Sequence, residues 1–205
     1  MDRSKRIFIT ALWALLVLTM TGIILTGVMA RRFAANAEPA NAPLPLIAPV
    51  PAFHLIDQNA KPLDSASLLG HPYIVDLIFT RCGGVCPMMT AKMASLGLQI
   101  APAVHFVSVS VDPKNDTPAE FKKYAQQFHA DESRWSFLTG DLDQITVLAR
   151  GLLLVYEPAT ASEPITHSDR FLLIDSNGQI RGVYRSNESE ELKRLVTDAN
   201  TLAAK

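Results

Sequence analysis

The sequence predicts a mixed α/β domain, a sheet with helices on its faces, carried behind an N-terminal membrane-spanning helix. Three observations predict it. Residues 7–30 contain no charged side chain. Tyr73 to Val111 reads as strand, helix, strand. The only two cysteines of the chain, Cys82 and Cys86, stand where the first of those strands gives way to its helix.

The uncharged run, Ile7 to Ala30, follows Arg3, Lys5 and Arg6. Twenty or so such residues span a bilayer as helix. Basic residues ahead of the run favour a cytoplasmic N-terminus, although Arg31 and Arg32 beyond it weaken the asymmetry. Residues 1–32 are read as an anchor, or as a signal segment cut near Val28 and Ala30 or near Ala35 and Ala37. Either reading exports the rest of the chain. The lack of an Arg-rich, Ser-rich transit segment points to a bacterial inner membrane, crossed once, with the soluble domain in the periplasm. Residues 33–51, with Glu38-Pro39-Ala40-Asn41-Ala42-Pro43, show no apolar periodicity and are read as a semi-extended tether. Residues 52–205 are the expected globular domain. At 205 residues and 48% hydrophobic, the chain suffices for one core. A net charge of −1 offers no cationic excess to neutralise phosphates, so nucleic acid is excluded as a partner.

Within the domain, Phe53 to Ile56 is a short apolar piece, Asp57 to Ala60 a turn and Ser65 to Leu69 a brief helical piece. Tyr73 to Phe79 is the first strong strand, Met88 to Ile100 a helix and Val104 to Val111 an alternating strand. Such a unit is a parallel, right-handed crossover. Thr117-Pro118-Ala119-Glu120 is a helix start with cap, first-turn proline and capping-box glutamate, and the helix runs to about Phe128. Asp141 with Gln144 starts another, through Leu152. Phe171 to Ile174 and Gln179 to Tyr184 flank Asp175-Ser176-Asn177-Gly178, a hairpin signature. Leu192, Leu195, Val196, Ala199 and Leu202 lie at helical spacing. A redox-type cysteine pair at the end of the first central strand of such a sheet makes a thioredoxin-like fold the economical reading.

Cys82 and Cys86 sit at a helix start, where unpaired N–H groups and the helix dipole favour thiolate. Their spacing of four is expected to put both sulfurs on one helical face. Gly83 and Gly84 let the loop close into a disulfide or open around an ion. Thiolates select soft ions, Cu(I) above all, and Cu(I) is content with three ligands where zinc wants four. Of five histidines, His54, His71, His105 and His129 read as structural or solvent-exposed. His167, in the loop-like Pro164-Ile165-Thr166-His167-Ser168 before a strand, is placed to lean over the cysteine loop. Met88, Met89 and Met93 read as packing residues rather than thioether ligands. Asp76, inside the first strand, reads equally as a buried proton acceptor for the cysteines or as an edge-facing residue. Asp112 before Pro113 reads as turn chemistry or as a neighbour of the site.

Phe53-His54-Leu55-Ile56-Asp57-Gln58, Cys82 with Cys86-Pro87, Val107 to Val111 with Asp112-Pro113, Asp116-Thr117-Pro118, Leu138-Thr139-Gly140 and His167-Ser168 together resemble the Sco/SenC copper chaperones of cytochrome c oxidase assembly. The resemblance covers nearly the whole soluble part. It implies a membrane-tethered thioredoxin-like domain in which Cys82, Cys86 and His167 bind one copper ion. That ion would be delivered to the copper centre of cytochrome c oxidase subunit II or another exported copper protein, or the pair would reduce thiols there. Family members commonly carry Pro and then Asp or Asn where this chain has Gly83 and Gly84. Without the resemblance, Cys82 and Cys86 also read as the attacking and resolving thiols of an exported thiol-disulfide oxidoreductase. A peroxiredoxin-like reading is weaker, since Thr80 is two residues rather than three before Cys82.

Overall fold

The computed structural model describes residues 3–35, 43–154, 156–157 and 166–204. They belong to two compact units, Met1–Pro43 and Leu44–Lys205.

The first unit is built on one helix, α1 (Arg3–Ala35), whose 33 residues reach about 50 Å at the helical rise. Its segment Leu12–Met29 is apolar and long enough to cross a membrane, which makes it a candidate span. The threonine hydroxyls in that segment find partners within the helix. Thr21 Oγ1 donates to the Val17 and Leu18 carbonyls, both at 2.9 Å, and Thr26 Oγ1 to Gly22 at 3.0 Å. Hydroxyls bonded back to their own helix can lie in hydrocarbon without an orphaned donor.

The second unit runs β1 (Ala48–Pro49), β2 (His54–Ile56), β3 (Pro62–Asp64), a 3-10 turn (Ser65–Leu68), β4 (Tyr73–Ile78), α2 (Val85–Gly97), β5 (His105–Ser110), α3 (Pro118–Gln127), β6 (Trp135–Leu138), α4 (Leu142–Gly151), β7 (Tyr156–Glu157), β8 (Thr166–His167), β9 (Arg170–Ile174), β10 (Gln179–Arg185) and α5 (Ser189–Ala203). Six strands form one sheet in the order β1-β10-β9-β4-β5-β6. β4 pairs with β5 and β5 with β6 in parallel, while β9 runs antiparallel to β4 and to β10. The sheet is thus mixed, as the patterns predict.

Alternation along β4 divides the core. Ile74 and Ile78 face the cluster made by Cys86, Met89 and Met93 of α2, Phe121 and Tyr124 of α3, and Leu195 and Ala199 of α5. Tyr73, Val75 and Leu77 face Phe53 and Leu55 with Ile145 and Leu148 of α4. The predicted caps form: Thr117 accepts from Glu120 N–H at the start of α3 and Asp141 from Gln144 N–H at the start of α4.

Three expectations need revision. The expected tether ends before its last residues: Ala48 and Pro49 pair with Ile180 and Gln179 at the sheet edge. Pro51 also packs so closely on Gly151 that a Cβ there would stand 2.0 Å from its ring. This stretch lacks a periodic face because only two residues of it pair and prolines interrupt the rest. β6 carries no sequence signal between Glu132 and Gly140, because four residues with one serine hold too little period to register. β5 alternates as predicted, but its polar members are buried under the helices: Ser108 accepts from Trp135 Nε1 at 3.0 Å and Ser110 donates to Asp116 at 2.6 Å.

Candidate metal and thiol site

β4 delivers the first cysteine through one tight turn. Cys82 N–H donates to the Phe79 carbonyl at 3.2 Å, with Thr80 and Arg81 between them. α2 then begins at Val85 with Gly84 as its N-cap, and Gly84 offers no side chain to cap it. The Cys82 sulfur serves instead: it accepts from Cys86 N–H at 3.4 Å. The two sulfurs therefore do not share a helical face. Cys82 lies in the turn ahead of the helix and Cys86 in its first turn, because the glycines keep residues 82–84 out of helical conformation.

This placement makes the pair unequal. Cys82 is partly exposed and Cys86 is fully buried, both as thiols. Partial burial pushes the Cys82 thiol up, but the N–H of Cys86, the Cys86 thiol and the N–H groups of Gly84 and Val85 outweigh it and hold the sulfur below the usual thiol range. Burial pushes the Cys86 thiol far up, with the Phe79 N–H opposing and the neighbouring Cys82 and Asp76 charges adding to the rise. One sulfur is accessible and drawn toward thiolate, and the other is a protected thiol.

Among the described residues, nothing crowds the loop between the two cysteines. A Cβ at Gly83 or Gly84 would meet nothing within 4 Å. Val85 and Met88 flank the opening as exposed apolar side chains, whereas Met89 and Met93 are buried in the core, as the packing reading expects of them.

Asp76 is not edge-facing. It sits in the central strand, fully buried, on the face that carries Cys86 and Tyr124. Neither of its carboxylate oxygens makes a well-formed hydrogen bond among the described residues, although the Ser108 hydroxyl of the paired residue on β5 lies near enough to favour the charged form. Burial pushes its pKa up to about 7. The Tyr124 hydroxyl on the same face bonds Thr90 Oγ1 at 3.0 Å.

The histidines separate. His54 is exposed and pairs with Asp64 at 2.7 Å. His71 and His105 stack with ring centroids 4.7 Å apart, at the sheet end where β4 and β5 begin, opposite the cysteines. His129 follows α3 with φ of 52°. The His167 backbone forms β8, paired with Tyr156, just ahead of β9. Since β9 is antiparallel to β4, its first residues lie at the end of the sheet where β4 hands over to Cys82. The His167 side chain lies outside the described residues. Among the described residues, no three of His, Cys, Asp and Glu gather as a metal cluster.

A carboxylate network around the turn went largely unread. Asp116, fully buried, accepts from the Thr80 backbone N–H at 3.1 Å, the Thr80 hydroxyl at 2.5 Å and the Ser110 hydroxyl at 2.6 Å. Asp112 accepts from Arg81 at 3.0 Å and from the Asn115 amide at 2.8 and 2.9 Å, so it is a neighbour of the site and not turn chemistry alone. The signal was in plain view: a second acid four residues after Asp112, in the loop that follows a parallel strand next to the cysteine strand.

Residues 46–202 match the family model of SCO1/SenC. Among solved structures, the chain is similar to a SCO1/SenC family lipoprotein from Bacillus anthracis, at 32% identity and a TM-score of 0.69, covering 76% of this chain and 95% of that one. It is similar to BsSco, described as a member of the Sco family of cytochrome c oxidase assembly proteins with a disulfide switch, at 30% identity and a TM-score of 0.66, covering 77% of this chain and 96% of that one. It is also similar to copper-bound ScoI of Bradyrhizobium japonicum, at 25% identity and a TM-score of 0.61, covering 72% and 99%.

Proposed function

This chain belongs to the SCO1/SenC family, and we propose that it is a membrane-tethered copper-binding metallochaperone for the copper centre of cytochrome c oxidase, with Cys82, Cys86 and His167 as the ligands of its cargo. The observation that carries the reading is the Cys82 sulfur: partly exposed, lowered toward thiolate by backbone donors, with no described residue within 4 Å of a Cβ at Gly83 or Gly84. A soft monovalent ion is the cargo that such a donor set takes. Cys86 is within reach at the first helical turn and would give up its proton on binding, which a metal ion drives. The arrival of β9 at the cysteine end of the sheet supports His167 as the third donor. Similarity to copper-bound ScoI supports the choice of metal, and similarity to BsSco supports an assembly role. The recipient is cytochrome c oxidase subunit II or another exported copper protein. The candidate span in α1 supports a single-pass anchor in a bacterial inner membrane, residues 1–32, with the domain in the periplasm.

The experiment is an anaerobic Cu(I) titration of the reduced chain against a competing chelator. One tight equivalent that weakens in Cys82→Ser, Cys86→Ser and His167→Ala is the expected result. Absence of tight binding in the unaltered chain would overturn the reading.

A second reading, thiol-disulfide exchange with the oxidase centre, is favoured by the unequal thiols: an exposed sulfur held toward thiolate attacks, and a buried thiol resolves. His167→Ala separates the two, because it removes a copper ligand and leaves both sulfurs in place.

A further inference from the structure

We infer that Asp116, assisted by Asp112, is a positioning residue for Cys82: the two carboxylates of the β5–α3 loop hold the turn that presents the first thiol. The turn from Phe79 to Cys82 has two central residues, and each is gripped by one acid. Asp116 takes both the N–H and the hydroxyl of Thr80, while Asp112 takes the Arg81 guanidinium. Asp116 is itself anchored by the Ser110 hydroxyl at the end of β5, and the Ser110 oxygen accepts from Asp112 N–H at 3.0 Å. Asn115 holds Asp112 through both of its carboxylate oxygens. The chain of contacts runs from a central strand to both residues of the turn ahead of Cys82, and Asp116, the acid that grips Thr80, is fully buried. Charge-assisted bonds in such a setting are short and directional.

What the clamp fixes is the position of the Cys82 sulfur. With Cys82 N–H on the Phe79 carbonyl, the sulfur lies 3.4 Å from Cys86 N–H, across the mouth of α2 and close to the second thiol. The clamp therefore pre-orders the dithiol for either closure, around an ion or into a disulfide. In both closed forms the new bonds hold the turn by themselves. Releasing the clamp gives freedom back to the open dithiol alone and disfavours both closures. The copper half of this inference rests on the proposed function; the disulfide half does not.

The test uses the full chain in detergent. Thr80→Val removes the hydroxyl donor at nearly constant shape, Asp116→Ala removes the acceptor, and Thr80→Ser restores the donor. Two quantities are read: the equilibrium of the reduced chain with oxidised glutathione, in which each intramolecular disulfide formed yields two reduced glutathiones, and Cu(I) affinity. The expected result is a fall of roughly three- to tenfold in both for Thr80→Val, the scale of one net intramolecular hydrogen bond, a fall at least as large for Asp116→Ala, which removes the acceptor of three, and Thr80→Ser close to the unaltered chain. Should Asp116→Ala fail to fold, Thr80→Val decides. Folded variants with lowered melting temperatures but an unchanged glutathione equilibrium would reduce Asp116 to a structural residue and overturn the inference. If the unaltered chain takes up no Cu(I), the proposed function fails, and the glutathione series still decides the clamp.

Discussion

Asp76→Asn should flatten the pH dependence of stability of the Leu44–Lys205 unit. The Asp76 carboxyl, fully buried and without a well-formed hydrogen bond among the described residues, has its pKa pushed from 3.8 up to about 7. Between these values the native state holds a proton that the unfolded state releases, so stability falls as pH rises through that window and levels off above it. Three units correspond to about 4 kcal/mol at most. Asp116, also raised by burial although Ser110 and Thr80 oppose it, adds to the fall with the same sign and persists in the variant. Asp131, exposed, and Glu191, half-buried, lowered by the Ser133 hydroxyl and the Arg185 backbone respectively, act oppositely and persist in the variant, so they drop out of the comparison. The assay is urea unfolding of the reduced, metal-free unit at pH 5 and pH 8, with and without the substitution. Burying an amide has its own cost, but that cost does not change with pH, so the difference between the two pH values is the readout. The unaltered unit should lose about 2–3 kcal/mol more than Asp76→Asn between them, since this interval covers only the part of the window above pH 5. Equal losses in both would show that Asp76 is not held protonated by its surroundings.

Alkylation at neutral pH should label Cys82 and spare Cys86 until the domain unfolds, with peptide mapping as the check, because only Cys82 is both accessible and drawn toward thiolate. Its labelling rate should persist to lower pH than that of an ordinary thiol and fall as pH drops through its lowered pKa; parallel labelling of both sulfurs would contradict the asymmetry. Gly84→Asp should fold, since a side chain there meets nothing within 4 Å, and should slow Cys82 labelling at neutral pH by placing a negative charge beside the sulfur. Met93→Ala should cost about 2–5 kcal/mol in chemical denaturation and Met88→Ala under about 0.5 kcal/mol, because one is fully buried and the other exposed.

The central layers of this fold were legible because their signals are local. A strand–helix–strand run, a Thr-Pro-x-Glu cap and an Asp-Ser-Asn-Gly hairpin each announce themselves within a few residues; cap and hairpin stand where their signals place them, while the first helix spans Val85–Gly97 rather than Met88 to Ile100. β6 and the edge strand β1 were not, because four and two residues pair by tertiary contact rather than by pattern. The cysteine pair was legible as a reactive site, but its inequality was not, since it depends on Cys82 lying in the turn and Cys86 in the helix. The acids whose roles spacing leaves open share one property. Asp76, Asp112 and Asp116 sit on neighbouring strands or loops, far apart in sequence from the groups they act on, so their roles follow from sheet order and not from spacing.

X-ray absorption at the copper edge of the Cu(I)-loaded full chain tests the proposed function most directly. Two sulfur scatterers and one nitrogen scatterer, with the nitrogen lost in His167→Ala and one sulfur lost in Cys86→Ser, are the expected result. A copper environment of oxygen and nitrogen alone, or one unchanged by all of these substitutions, would contradict it.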